Sequence, residues 1–270
     1  MQCTIGVRDI QIITTEILSL INKAADNKKV DYYLVGGSAL GAMRHGGPIP
    51  WDYDVDIAIP LCDLECFCDE IKTVLDGTKY YIAKPGDLSD PNNVTLFPRV
   101  GLRGSNIRQL HVDVFPLIDG PQEMDEAKKY YDKLVILRDR YGKKVVANTT
   151  NGGFFKRALK KTVIKLAYAR IDKEKVLNEY NSLRLKYKDC KSDYYVAPYG
   201  GVNGYKDILK KEIFGAPRYV KYNDLMLPVP EKVEVYLEQL YGDWRKFPDQ
   251  KSIDKQLQYK VKIEDREKVM

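Results

Sequence analysis

Gly36–Pro60 reads GGSALGAMRHGGPIPWDYDVDIAIP, and its two ends decide the fold. The preceding Asp31–Val35, DYYLV, is rich in strand formers and delivers the chain to Gly36. Gly36 and Gly37 permit a positive φ and a close approach by a ligand. Ser38 is placed to cap a helix over Ala39–Arg44. Backbone N–H groups at such a turn make an anion site suited to phosphate, and Arg44 near the helix end would add a charged fork. The spacing is not that of a P-loop, because GxxxxGK[ST] is absent. At the other end, Asp54–Ile59 alternates polar and apolar residues. Residues two apart on a strand share a face, so Asp54 and Asp56 aim together while Val55 and Ile57 face a core. Asp52 has the same parity, as an orienting group or a third acid. Two such carboxylates repel, and Mg²⁺ or Mn²⁺ between them relieves the repulsion. Mg²⁺ typically takes one or two carboxylates plus substrate phosphates.

An acidic pair alone fits a solvated edge strand equally well. Two further features favour chemistry. The Gly-Gly-Ser turn begins 18 residues before Asp54, and Leu110–Leu117, LHVDVFPL, sets Asp113 between Val112 and Val114 in a buried-looking run. A buried acid needs a partner, which a metal shared with Asp54 and Asp56 would supply. The pattern indicates a metal-dependent phosphoryl-group transfer site. Residues 94–103 and 107–117 read as a hairpin, putting Arg99 and Arg103 beside the acidic strand as phosphate contacts or as solvated strand arginines. His111 shares a face with Asp113, to assist proton transfer or to hydrogen-bond structurally.

The same residues resemble the nucleotidyltransferase superfold, with its glycine-serine turn, DxD strand and third acid on a neighbouring strand. More closely, GGSALGAMRHGGPIPWDYDVDIAIP is similar to the signature of the LicD-type family, which includes bacterial phosphocholine transferases and fukutin-related ribitol-phosphate transferases. HVDVFPLIDG and LPVPEKVEVYLEQLYGDWRKFPD resemble two further family segments. The resemblance implies an α+β fold: a nucleotidyltransferase-like mixed-sheet core over residues 1–121 and a helical C-terminal half over 122–270. It implies Asp54, Asp56 and Asp113 as metal ligands, with Gly36, Gly37 and Ser38 on the donor phosphates. The implied activity is transfer of a phospho-alcohol from a CDP-linked donor to a sugar hydroxyl with release of CMP. The acceptor would be a lipid-linked saccharide or a cell-surface glycan such as a teichoic-acid or lipopolysaccharide precursor. The sequence leaves open whether choline, ribitol or glycerol is carried. Two alternatives stand beside this: true nucleotidyl transfer with pyrophosphate release, and a degenerate nucleotide-binding module.

Elsewhere the chain is quieter. Residues 8–27 carry Ile10, Ile13, Ile17, Leu20 and Ile21 at helical spacing. Helices are expected at 63–75, 122–146, 154–170, 172–188 and 231–241, a strand at 79–83, and a hairpin at 218–228 turning at Asn223-Asp224. The stretch at 154–170, FFKRALKKTVIKLAYAR, is basic and amphipathic. It suits an anionic membrane surface or a packed helix with a solvated lysine face. The Tyr-rich stretch at 194–205 offers Tyr195 and Tyr199 for a choline cage by cation–π contact, or for stacking on sugars. The last twenty residues are charged and expected to fray or to fold only on contact.

The 270 residues include 44 basic and 38 acidic side chains, a net charge of +6. This suits phosphate-bearing substrates and is too small an excess to argue for nucleic acid. Mean hydropathy is −0.41, and no apolar run reaches the roughly 20 residues of a spanning helix. The first residues lack the basic and apolar regions of a signal peptide. The expected location is therefore the cytoplasm, at the inner face of the membrane if the acceptor is lipid-linked. Cys62, Cys66 and Cys68 read as reduced thiols on a helix or as part of a zinc site. Their spacing puts Cys68 off the face shared by the other two and assembles no tetrahedral set locally.

Overall fold

A computed structural model describes residues 3–87, 95–105, 110–146, 171–198, 203–257 and 260–263. Eleven strands run in order: β1 Cys3–Gly6, β2 Tyr33–Leu34, β3 Asp56–Pro60, β4 Tyr80–Ala83, β5 Arg99–Leu102, β6 His111–Asp119, β7 Tyr194–Val196, β8 Ile208–Lys210, β9 Arg218–Tyr222, β10 Leu225–Val229 and β11 Lys260–Ile263. The helices of the described residues are α1 Val7–Lys28, α2 Gly36–His45, α3 Leu64–Val74, α4 Met124–Val146, α5 Lys173–Arg184, α6 Val233–Tyr241 and α7 Gln250–Leu257.

The central sheet is mixed. Its path is β2-β3-β6-β5-β4, and β7 extends it from β6 to β8. Only β3 and β6 are parallel neighbours, and every other pair is antiparallel. The long strand β6 serves two halves of the sheet. Its first residues pair with β5 and its last two with β7. Strands from the C-terminal half thus continue the sheet that the N-terminal half begins.

The core follows from sequence periodicity. Ile10, Ile13, Ile17 and Ile21 of α1 are buried against the sheet residues Ile57, Ile59, Val112 and Val114 and against Phe67 and Ile71 of α3. These buried side chains each contribute about 1.5–3 kcal/mol by leaving water. Helix α1 stops where Lys29 turns left-handed at φ 54°, its N–H donating to Ala25 and Asp26 carbonyls.

The β9–β10 hairpin turns at Asn223, φ 56°, as its Asn-Asp pair implies. It docks on the chain leaving α2: the Asn223 N–H donates to the Gly46 carbonyl at 2.7 Å. A Cβ on Gly47 would lie 2.5 Å from Asn223 Oδ1, so any larger residue there would displace the Asn223 side chain.

Of the two outcomes expected for the last residues, folding on contact fits those described, since α7 forms and β11 pairs antiparallel with β1 from Cys3↔Ile263 to Gly6↔Lys260. The helix expected at 154–170 lies outside the described residues. Among those described, no helix is long and apolar enough to cross a membrane. Cys62 and Cys66 are exposed and Cys68 is buried, all as free thiols. No cluster of metal-ligating side chains involves them among the described residues.

Candidate active site

The acids meet because β3 and β6 run side by side in register. Asp56 is the first residue of β3 and faces Asp113 directly across the parallel pair, so their Cα atoms are about 4.8 Å apart. Across β6, Arg99 opens β5 and is paired with the same Asp113. Asp56, Asp113 and Arg99 thus form one row across three strands, at the N-terminal ends of the parallel pair.

Helix α2 closes this end. It begins at Gly36, three residues before the expected start at Ala39, so Ser38 lies within its first turn and does not cap it. The buried Ser38 hydroxyl instead accepts the Asp56 N–H at 2.9 Å and braces the helix to β3. Gly36 does take a positive φ, 55°. A Cβ there would stand 3.4 Å from Asp56 Oδ2, and one on Gly37 would stand 3.0 Å from Asp52 Oδ2. The glycines therefore let two carboxylates settle against the helix N-terminus, where the backbone dipole favours negative charge.

Asp54 is not on the strand. It lies in the turn before β3, its N–H donating to Asp52 Oδ1 at 3.2 Å. Val55 and Ile57 are buried while Asp54 is exposed, as alternation implies, and strand pairing brings Asp56 to Asp113.

The charge balance is lopsided. Burial and then neighbouring Asp52 push Asp54 up to about 6. Burial, then Asp113, Asp54 and Asp52, push Asp56 well above the carboxylate range. Asp52 is raised by burial, against the pull of the Asp54 and Tyr53 backbone N–H groups. Asp113 goes the other way. Burial alone would raise it, but His111 and Arg99 hold it low. Arg99 Nε donates to Asp113 Oδ1 at 2.7 Å, and His111 Nε2 lies 3.2 Å from the same oxygen.

The other anticipated contacts divide. Arg103 is exposed in the turn after β5, on the parity of Arg99 and beyond the acidic end of the sheet. Arg44 is committed elsewhere. Its Nη1 donates to the Trp244 and Lys246 carbonyls, its Nε contacts His45, and it lies over the Phe247 ring. It secures the C-terminal segment at the far end of α2, about 12 Å along the axis from Gly36. Tyr195 pairs with Asp119 at the opposite end of β6, roughly 20 Å along the strand from Asp113. Its ring packs on Phe214, so a cage there would not reach the acids. Tyr199 lies outside the described residues.

Three tyrosines join the site without having been anticipated. Tyr236 of α6 accepts the Gly36 N–H at 2.9 Å. The Tyr241 hydroxyl is 3.9 Å from where a Gly36 Cβ would stand. Burial and then the charges of Asp56 and Asp52 push Tyr241 above the ordinary phenol range, and Tyr222 shifts likewise, with burial, Asp52 and Asp56 as its causes. All three lie some 170 or more residues beyond Gly36 in sequence. For Tyr236 and Tyr241 the sequence signal was the family-like segment Leu227–Asp249, and Tyr222 lies before it in the expected hairpin.

Asp52, Asp54, Asp56 and Asp113 bear on one another's charge at this end of the sheet. Arg99 and His111 both attend to Asp113, leaving Asp54 and Asp56 crowded, with raised proton affinity. Among the described residues no group of three or more ligating side chains stands together as a metal site, and Asp113 is engaged by Arg99.

A mixed sheet with an acidic row under a glycine-serine helix N-terminus defines a nucleotidyltransferase-type domain. Residues 29–160, just under half of the chain, match the family described as LicD/FKTN/FKRP, nucleotidyltransferase domain. It is 24% identical over 260 residues to the lipopolysaccharide cholinephosphotransferase LicD of Haemophilus influenzae, covering 90% of this chain and 92% of that one. It is 43% identical over 94 residues to the human ribitol 5-phosphate transferase FKRP, covering 32% of this chain and 17% of that much longer one. Among solved structures, the antibiotic-resistance factor ANT(2'')-Ia is 14% identical over 66% of this chain and 95% of its own, with a TM-score of 0.29, a likeness too slight to argue from.

Proposed function

We propose that this enzyme transfers a phospho-alcohol, phosphocholine foremost, from a CDP-linked donor to a sugar hydroxyl of a cell-surface glycan or its lipid-linked precursor. The observation that carries this is the in-register meeting of Asp56 and Asp113 beneath the Gly36–Ser38 helix start. Phosphocholine is preferred because the cholinephosphotransferase relative aligns over nearly its whole length, whereas the ribitol-phosphate relative aligns over a small part of its own.

In this reading Asp54 and Asp56 would hold Mg²⁺ or Mn²⁺, with Asp113 as the third ligand. Such a cation supplies charge neutralisation for a pyrophosphate and its leaving group. The N-terminus of α2 and Arg103 receive the donor phosphates. The acceptor oxygen forms a bond to the distal phosphorus, the anhydride P–O bond breaks, and CMP departs. Asp52 is the better-placed proton acceptor, since Arg99 and His111 keep Asp113 a weak base. Positioning and charge stabilisation dominate such transfers.

The test is a thermal-shift panel with Mg²⁺ and CDP-choline, CDP-ribitol, CDP-glycerol, CTP, ATP and UTP, because a ligand that binds only the native state raises apparent stability. A shift with CDP-choline that is lost in Asp54→Ala is expected. A shift with a triphosphate alone, with pyrophosphate as the released product, would replace this reading by nucleotidyl transfer.

A further inference from the structure

Away from the acidic row, helices α4 and α5 enclose a groove of about 480 Å³. Helix α4 lines it with Lys133, Ile136, Leu137 and Arg140, which recur at i, i+3, i+4 and i+7 and so share one face. The facing chain, α5 and the turn after it, lines it with Glu179, Leu183 and Lys186 at i, i+4 and i+7. The two run antiparallel: Arg140 lies 3.8 Å from Glu179, and Lys186 lies 3.9 Å from Glu126. All four of those side chains are about half exposed, so the pairs hold their cations only loosely. The floor is apolar. Leu137 is buried, and Ile136 is left 55% exposed among the cations. Tyr141, next to Arg140, accepts the Gly86 N–H at 3.1 Å. Gly86 follows Ala83, which pairs with Arg99 of the acidic row. The Arg140 end of the groove therefore lies toward the same end of the sheet as the acids.

We propose that this groove seats one acidic lipid of a bilayer surface. Its phosphate lies among Lys133, Arg140 and Lys186, and the top of an acyl chain lies on Ile136, Leu137 and Leu183. A basic rim around an apolar floor is the chemistry that receives an anionic amphiphile. Free phosphate would leave Ile136 in water, and a neutral lipid would leave the three cations without an anion. Size decides against an acidic protein. A volume of about 480 Å³ suits a single small ligand, whereas a stable protein interface needs about 800 Å² from each partner. Such binding needs neither a nucleotide donor nor a metal ion, so it stands or falls apart from the phospho-alcohol reading. It would bring the acidic end of the sheet to a membrane surface, where a lipid-linked acceptor is presented.

The experiment is co-sedimentation of the full chain with vesicles of phosphatidylcholine alone and of phosphatidylcholine mixed with phosphatidylglycerol. The parent is expected to bind the mixed vesicles only, and to be released as added salt screens the contact. Lys133→Gln/Arg140→Gln is expected to bind roughly 25-fold more weakly, each basic side chain at an anionic surface contributing about fivefold. Ile136→Ser keeps every charge and is expected to bind roughly threefold more weakly, because less apolar surface leaves water. Circular dichroism melts confirm that each variant is folded. Should the double variant fail to fold, Ile136→Ser alone decides. No binding by the parent, equal binding to both kinds of vesicle, or parent-like binding in the groove variants overturns the proposal. A last variant, Lys160→Gln/Lys161→Gln, tests the basic stretch at 154–170. Loss of binding there, with full binding in the groove variants, would assign the membrane contact to that stretch and overturn the groove.

Discussion

Asp56 is the residue on which the proposed chemistry converges. It sits in register with Asp113, under the Gly36 backbone, with its N–H tied to Ser38. Asp56→Ala is expected to leave a folded protein, because it relieves crowding among carboxylates, and to lower turnover by on the order of 10³-fold or more. Near-normal turnover in a steady-state assay would sink the site assignment. Gly36 has a different sensitivity. Its φ of 55° is strained for any residue with a Cβ, so Gly36→Ala should cost about 1 kcal/mol in a denaturant melt. The added Cβ would also meet Asp56 Oδ2 at 3.4 Å. Activity is therefore expected to fall further than stability does.

At the level of elements, α6 is the surprising contributor. It lies beyond residues 29–160, yet its Tyr236 hydroxyl is the partner of the first N–H of α2. Tyr236→Phe would leave that part-buried N–H unmatched and should destabilise by about 1–2 kcal/mol. A truncation that kept only the family-matched domain would lose the same contact. Turnover in Tyr236→Phe at a temperature well below its melt is expected to drop as well, because in the proposed function the N-terminus of α2 receives the donor phosphates. A melting temperature and a rate both equal to the parent's would mean that α6 merely packs nearby. The β9–β10 hairpin acts in the same way from the other side, through Asn223 on Gly46.

For the whole molecule, the relevant quantity is stability against pH. Asp207 begins β8's approach to the sheet, is 4% exposed, and is pushed up to about 6 by burial, against the opposing pull of Asn203, Arg138 and Tyr131. Its folded proton affinity exceeds its unfolded one. Its contribution is therefore complete below the unfolded carboxylate range near 4 and is lost as pH rises through about 6. Asp207→Asn mimics the protonated form. It should match the parent at pH 4 and exceed it by roughly 2 kcal/mol at pH 7. Urea melts of both chains at the two pH values give the difference directly. An equal gap at both values would exclude Asp207 as the titrating group.

The pattern from Gly36 to Pro60 and around Asp113 was enough to name the acidic residues, the mixed-sheet class and most helices. Local rules govern those features: turn glycines, strand formers and helical periodicity act over a few residues. The start of α2 was misread at this level, because a hydroxyl-to-backbone bond competes with simple capping, and Asp54 lies in the turn just before the strand. Arg44 and Tyr195 had the right chemistry for a phosphate and a choline, but the fold spends them on the C-terminal segment and on the far end of β6. No local signal could show that Arg99 would choose Asp113, or that Tyr236 would reach Gly36. Those pairings depend on strand register and on packing between segments far apart in the chain. Residue types thus set the chemistry available to this protein, and tertiary structure decided which of them meet, because a strand pair or a docked helix fixes distances that composition and spacing leave free.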